Sequence, residues 1–423
     1  MLKAGVAIKD ISPKLGVELA GYPHCPRNNT GVHDAIYASV IYLSDGKSDV
    51  IFVGMDLLYF GKKFCKELRN KFGNNVMTFT THTHCAPWAS ELLSSERHEG
   101  LEVNKEYKEF LLSQIENGII EAKSNLFDAE FGSSVTKCGK EFGIGGNRRD
   151  LDGPVDDSLN VFAVRDKATK TVKGILLNYA LHPTFLHEDV TEVSADYPGY
   201  IRRFLNFAFK DAVFAFSQGC SGNQSSRYFR VAQNYEEAAR AGTTLGVEVK
   251  HAIDDMSFRD NVKIDIKRTE VSFPLKEFES EEIALKKRRD AEIEFEKVKN
   301  ADFITKWNAE LKLFGAQSNY NFSVDKKAGF VSEETPNEVV IITIGDLTIV
   351  GIQGEIFVEF DLAIKELCSG KKTFVFAMMN GTAPGYLYTK EEAEIGGYEV
   401  GNSMFSKEAG DVLLDTVKKL LNE

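Results

Sequence analysis

A layered α/β fold, with a mixed β-sheet core, flanking helices and a helical insertion, is what this 423-residue sequence predicts. Three observations predict it. Short β-branched or aromatic runs recur and end in polar residues, helix-period segments lie between several of them, and no internal repeat or low-complexity linker interrupts the pattern. With 43% hydrophobic and 11% aromatic residues the chain has material for a large core, so a single domain over residues 1–423 is expected.

In chain order the strand candidates are SDVIFVGMD, VMTFTTHTH, GILLNYALH, AVFAFSQGC, VVIITIGDLTIVGIQGE and TFVFAMMNG. Helices are predicted where apolar residues recur at three- and four-residue spacing: GKKFCKELRNKF, NKEYKEFLLSQIENGIIEAKSN, YPGYIRRFLNFAF, NYEEAARAGTTLGVEVKHAIDD and SKEAGDVLLDTVKKLLNE. From Lys276 to Gln317 the composition turns charged and helix-favouring. Its mixed signs predict one or two exposed amphipathic helices, inserted over the α/β body, that either stay solvated or cover the active site.

Lys and Arg number 51 against 63 Asp and Glu, a net charge of -12. Nucleic acid and anionic membrane surfaces are therefore excluded as partners, and a small-molecule substrate is expected. No stretch approaches the roughly 18 apolar residues that a membrane-spanning helix needs. The N-terminal MLKAGVAIKDISPKLGVELAGYP has no apolar core followed by a cleavage site, so a cytoplasmic location is expected. Six scattered cysteines without C-x-x-C read as reduced thiols, with Cys85 and Cys220 as small buried hydrophobes.

Chemistry is expected where strands end. VMTFTTHTHCAP places His82 and His84 with period 2 at the close of an apolar run, so both imidazoles project from one strand end. The other strand ends supply Asp56, His182, the turn after Gln218, Glu355 and the loop after Asn380. Taken singly, each is as compatible with an ordinary cap or turn. Together, two or three imidazoles and a carboxylate suit a metal, most simply Zn²⁺ with one position open. FSQGCSGNQSSRYFR follows a strand with Gly219 and Gly222 and a polar run, either a plain Gly/Ser turn or a loop whose amides and hydroxyls face a substrate. It lacks the G-x-S-x-G spacing of a nucleophile elbow.

These segments resemble, in order along nearly the whole chain, the catalytic domain of the neutral/alkaline ceramidases, zinc-dependent amidases that cleave the N-acyl bond of sphingolipids. AGVAIKDISP and GVHDAIYASVIYL are similar to the family's opening strands, THTHCAP to its T-H-T-H-S-G-P segment, and GNRR to its Asn-Arg pair. LHPTF with SADYPGY, QGEIF and GYLYTKEEAEIGGYEV resemble its later motifs. The resemblance implies zinc ligands at His82, His182, Glu355 and Tyr386. It implies a second active-site histidine at His84, an arginine at Arg148, a serine at Ser225 and a second tyrosine at Tyr398.

Departures bear on the substrate. Where the family has Gly-Asp-Val-Ser-Pro, this chain has Gly222, Asn223, Gln224, Ser225 and Ser226. Family members are exported or lumenal and carry a C-terminal β-sandwich, and neither a leader nor that domain is expected here. The resemblance therefore implies a zinc-dependent hydrolase of an N-acyl amide in a soluble, polar substrate. Attack comes either from an activated water or from Ser225, with His84 moving the proton and Arg148 and Tyr398 binding the oxyanion. A hydrolase of a small polar ester or lactone, and a catalytically idle metal- or ligand-binding homologue, are the competing readings.

Overall fold

Strand alternation gives each sheet two apolar faces, and the computed structural model, which describes residues 1–22, 25–89, 104–328, 336–381 and 385–423, covers all four. The larger sheet contains β1 (Lys3–Asp10), β2 (Tyr37–Ser44), β3 (Asp49–Met55), β4 (Val76–Thr80), β5 (Phe127–Lys137), β6 (Ser158–Asp166), β7 (Val172–Tyr179) and β8 (Val213–Gln218). Its order is β8-β7-β6-β5-β1-β2-β3-β4. The smaller sheet runs β9 (Ile264–Val271), β10 (Asn337–Ile344), β11 (Leu347–Ile352) and β12 (Lys372–Phe376) in sequence order. Most pairs are antiparallel, but β3 with β4, β7 with β8 and β11 with β12 are parallel, which makes the architecture mixed as expected.

Val50 and Phe52 of β3 face the second sheet, joining Phe79, Phe162, Ile342, Ile349 and Phe376 in one buried layer. The intervening Ile51, Val53 and Met55 face the opposite way, onto α1 (Lys62–Phe72) and α2 (Lys105–Ser124). On the other half of the large sheet, α3 (Tyr197–Ala208) and α4 (Tyr235–Asp254) pack over Val161, Ile175 and Phe214. Outside the smaller sheet Val339, Ile341 and Val350 lie in one cluster with residues of two further helices described below. Helix, sheet, sheet and helix thus stack in order.

The charged segment forms two antiparallel helices, α5 (Glu281–Val298) and α6 (Phe303–Lys327), tied by Lys312–Glu294 at 2.6 Å and Lys327–Glu281 at 2.5 Å. Ser280 caps α5, accepting the Ile283 N–H at 3.4 Å. Helix α6 runs ten residues beyond Gln317, where the composition loses its charge, because Phe322 is fully buried against Phe278 with ring centres 5.8 Å apart. The composition change marked a burying face, not a helix end. The chain finishes with α7 (Val358–Leu367), α8 (Lys390–Ile395), α9 (Tyr398–Gly401) and α10 (Ala409–Asn422), of which α7 and α10 cover the smaller sheet through Ile364, Leu413 and Val417. Among the described residues no helix is long and apolar enough to cross a membrane.

Candidate metal centre

Each parallel strand pair delivers at least one group to a common point. His82 and His84 follow β4, His182 follows β7 and Glu355 follows β11. Carboxyl ends of parallel strands are where a sheet leaves side chains unshielded by further backbone pairing. His82 adopts a positive φ of 66°, and its ring Nδ1 lies 3.1 Å from Leu58 O. The His182 Nδ1 lies 2.7 Å from Ser221 O. Glu355–Ile356 pairs in parallel with Tyr386–Leu387, and the Glu355 carboxylate sits 3.1 Å from His182 Nε2 and 3.6 Å from His82 Nε2.

The Nδ1 atoms of His82 and His182 face backbone carbonyls, and their Nε2 atoms face the Glu355 carboxylate. Where Nδ1 donates to its carbonyl, Nε2 is left with a lone pair turned to the carboxylate, and a cation between the two satisfies both. His84 adds a third imidazole, both of its nitrogens buried and without a hydrogen-bond partner among the described residues. One ligand atom from each of His82, His84 and His182 lies within 4.8 Å of the others. Burial and the adjoining His82 and His182 hold His84 well below the ordinary imidazole pKa, and burial and Arg148 draw His182 down to about 4. Burial alone would raise Glu355, but His82 and His182 outweigh it and keep the carboxyl well below its usual range. Three imidazoles beside a carboxylate are a donor set that binds a divalent ion once the rings are unprotonated, so the donors present fit such an ion.

Residues 2–228 match the N-terminal model of the neutral/alkaline non-lysosomal ceramidases. The chain belongs to that family. Its fold is similar to the crystal structure of neutral ceramidase from Pseudomonas aeruginosa, with a TM-score of 0.76 at 16% identity over 99% of this chain and 74% of that one. A ceramidase complexed with C2 gives 0.75 at 14% identity over the same shares. No curated protein matches the sequence.

Around the histidines of this ceramidase-family chain, the remaining expected residues take distinct places. Tyr386 is buried beside Glu355 through the strand pair, with its hydroxyl 3.5 Å from Arg148 Nη2. Burial and the Glu355 charge push that phenol well above its usual pKa. Tyr398 packs on Tyr386 with ring centres 6.3 Å apart, and burial and Glu355 raise it to about 12, so it is a hydrogen-bond donor. Arg148 binds Glu399 at 2.8 Å and Gly222 O at 2.7 Å. Ser225 lies on a β-bridge with His182, but its hydroxyl accepts the Arg227 N–H at 3.2 Å instead of meeting an imidazole.

Two expected contributors stand apart. Asp56 is paired with Arg202 at 2.6 Å, both buried, because a carboxylate at that depth needs its own cation. Asn380 is bonded to Thr78 N at 3.0 Å and to Glu338 at 2.7 Å, joining the two sheets. Asn223 and Gln224, which replace the family's acidic and apolar residues, also turn inward. Asn223 accepts Val358 N–H at 2.9 Å at the start of α7, and Gln224 donates to Ala180 O at 2.8 Å. Sequence reasoning missed Tyr59, whose hydroxyl donates to Glu355 at 2.7 Å. It also missed Gly21, whose φ of 106° and absent Cβ admit the His84 backbone, and Glu399, which Arg148 and Arg149 share at 2.8 and 2.6 Å. Only Tyr59 had a signal, its place just after a strand end.

Proposed function

We propose that the protein is a zinc-dependent amidohydrolase cleaving the N-acyl amide bond of a polar substrate. The observation that carries this reading is the convergence of the His82, His84 and His182 rings and the Glu355 carboxylate on one buried point. His82, His182, Glu355 and Tyr386 would hold the ion. Zinc bound there supplies a Lewis acid and a water whose pKa falls to roughly 7. Tyr59 fixes the outward oxygen of Glu355, orienting that ligand as a hydrogen-bonded neighbour does at such sites. His84, with neither nitrogen engaged among the described residues, would pass a proton to the departing nitrogen. Arg148 and Tyr398 would donate to the oxygen that gains charge. Ser225 sits beside His182 as either a substrate contact or the nucleophile.

One observation favours a variant: a ring nitrogen from each of the three imidazoles lies within 4.8 Å of the others, so His84 would be a third imidazole ligand, and proton transfer would then fall to another group. Metal analysis should find about one Zn²⁺ per chain. A panel of N-acyl amides and matched esters, assayed with and without chelator, should show chelator-sensitive amide cleavage. Stoichiometric protein without metal, or hydrolysis indifferent to chelator, would sink the proposal.

A further inference from the structure

Arginines near this site divide into two kinds. Arg148 and Arg149 are neutralised, sharing Glu399, with Arg149 also binding Glu392 at 2.6 Å. Arg227 and Arg230 have no carboxylate partner among the described residues. Arg230 Nη1 donates to Thr184 O at 3.0 Å and to Ser226 Oγ at 3.1 Å, next to the His182 turn. Arg227 is exposed, follows Ser225 by two residues, and lies 5.0 Å over the Trp307 ring of α6. Its side chain otherwise meets Tyr228. Behind them Arg27, also without a carboxylate partner among the described residues, donates to Val190 O at 2.6 Å and His84 O at 2.7 Å.

In a chain with 63 acidic against 51 basic residues, carboxylates are available almost everywhere. Arg148 lies close enough to Arg227, and Arg227 to Arg230, for their like charges to interact. The positive charges on this rim repel one another, and an anion would relieve them. A cation–π contact with Trp307 positions the Arg227 guanidinium fork, while the residue stays exposed to solvent. A planar fork of that kind pairs two-pronged with a carboxylate or phosphate.

We infer that Arg227, with Arg230 beside it, receives an anionic oxygen group of the substrate, so that the acyl compound cleaved is an anion, of the N-acyl amino acid class, and not a neutral lipid amide. The inference rests on the amidohydrolase reading for the bond broken. It does not rest on it for the charge recognised.

Calorimetry on the purified protein tests it with three matched probes: an N-acylglycine, its neutral N-methylamide, and the phosphate ester of the corresponding N-acylethanolamine. The wild type should bind the carboxylate at least about tenfold more tightly than the neutral amide, with the preference shrinking as salt rises. Arg227→Gln should abolish the preference and leave neutral-ligand affinity unchanged, while Arg227→Lys keeps part of it. Tighter binding of the phosphate would make that the favoured anion within the same inference. Equal affinity of the wild type for charged and neutral probes, or a preference intact in Arg227→Gln, would overturn it. Should Arg227→Gln unfold, Arg227→Lys and the wild-type salt dependence decide. Charge-dependent binding without hydrolysis of any probe would overturn the amidohydrolase reading alone, and hydrolysis indifferent to charge would overturn this inference alone.

Discussion

His82 occupies the left-handed region at φ 66°, a conformation costing a non-glycine residue on the order of 1 kcal/mol or more. The surrounding bonds hold it there, since its N–H reaches Leu57 O at 2.9 Å and its ring reaches Leu58 O. Replacing His82 or His182 by Ala should abolish metal binding, and elemental analysis showing full occupancy in both variants would reject them as ligands. His84→Ala separates the two roles open to that residue. As acid/base its loss should keep the metal and lower kcat by about a hundredfold or more, whereas loss of the metal would make it a ligand. Gly21→Ala tests the floor of the site, because a Cβ there would stand 2.6 Å from His84 Cβ on a backbone at φ 106°. It should destabilise the protein by about 1–3 kcal/mol in urea titration and lower activity through a displaced His84.

Between elements, Glu338 at the head of β10 does for the scaffold what Glu355 does for the site. It receives Arg69 of α1 two-pronged at 2.7 and 2.9 Å and Asn380 at 2.7 Å. Burial raises its pKa, but the Arg69 bond and the charges of Arg69 and Arg268 outweigh that and leave it lowered. An acid with a depressed folded pKa stabilises fully above its unfolded value, near 4.3, and loses that contribution as pH falls through the folded value. Glu338→Gln should therefore cost about 3 kcal/mol at neutral pH and flatten the acid limb of a stability-against-pH curve. Identical acid limbs would remove Glu338 from this role. At this scale the sequence was readable where local pattern decides. The H-x-H at a strand end, His182 and Glu355 all stood out because each is a polar break in an apolar run. Glu399 and the inward turn of Asn223 and Gln224 did not, since their partners lie 250, 135 and 44 residues away. Asp56 misled for the same reason, its cation being supplied by α3, 146 residues on.

Across the whole molecule, one aromatic chain runs through the layer between the sheets. Phe162 meets Phe52 at 5.5 Å, Phe52 meets Phe79 at 6.4 Å, and Phe79 meets Phe376 of the smaller sheet at 5.4 Å. The layered fold was legible from strand and helix alternation, but this seam was not, because no local pattern says which faces of two sheets will meet. Phe376→Ala should cost about 3–5 kcal/mol and lower a single unfolding transition. Two separate transitions by circular dichroism would show that the sheets melt independently.

The 173-residue separation of His182 and Glu355 also has a meaning in time. A ribosome adding roughly 5–20 residues per second needs on the order of ten to thirty-five seconds to get from one to the other. Throughout that interval the emerging polypeptide has its three imidazoles but not its carboxylate, and Tyr386 comes later still. A chain interrupted there lacks part of the proposed ligand set, so tight zinc retention would report that translation had passed that point.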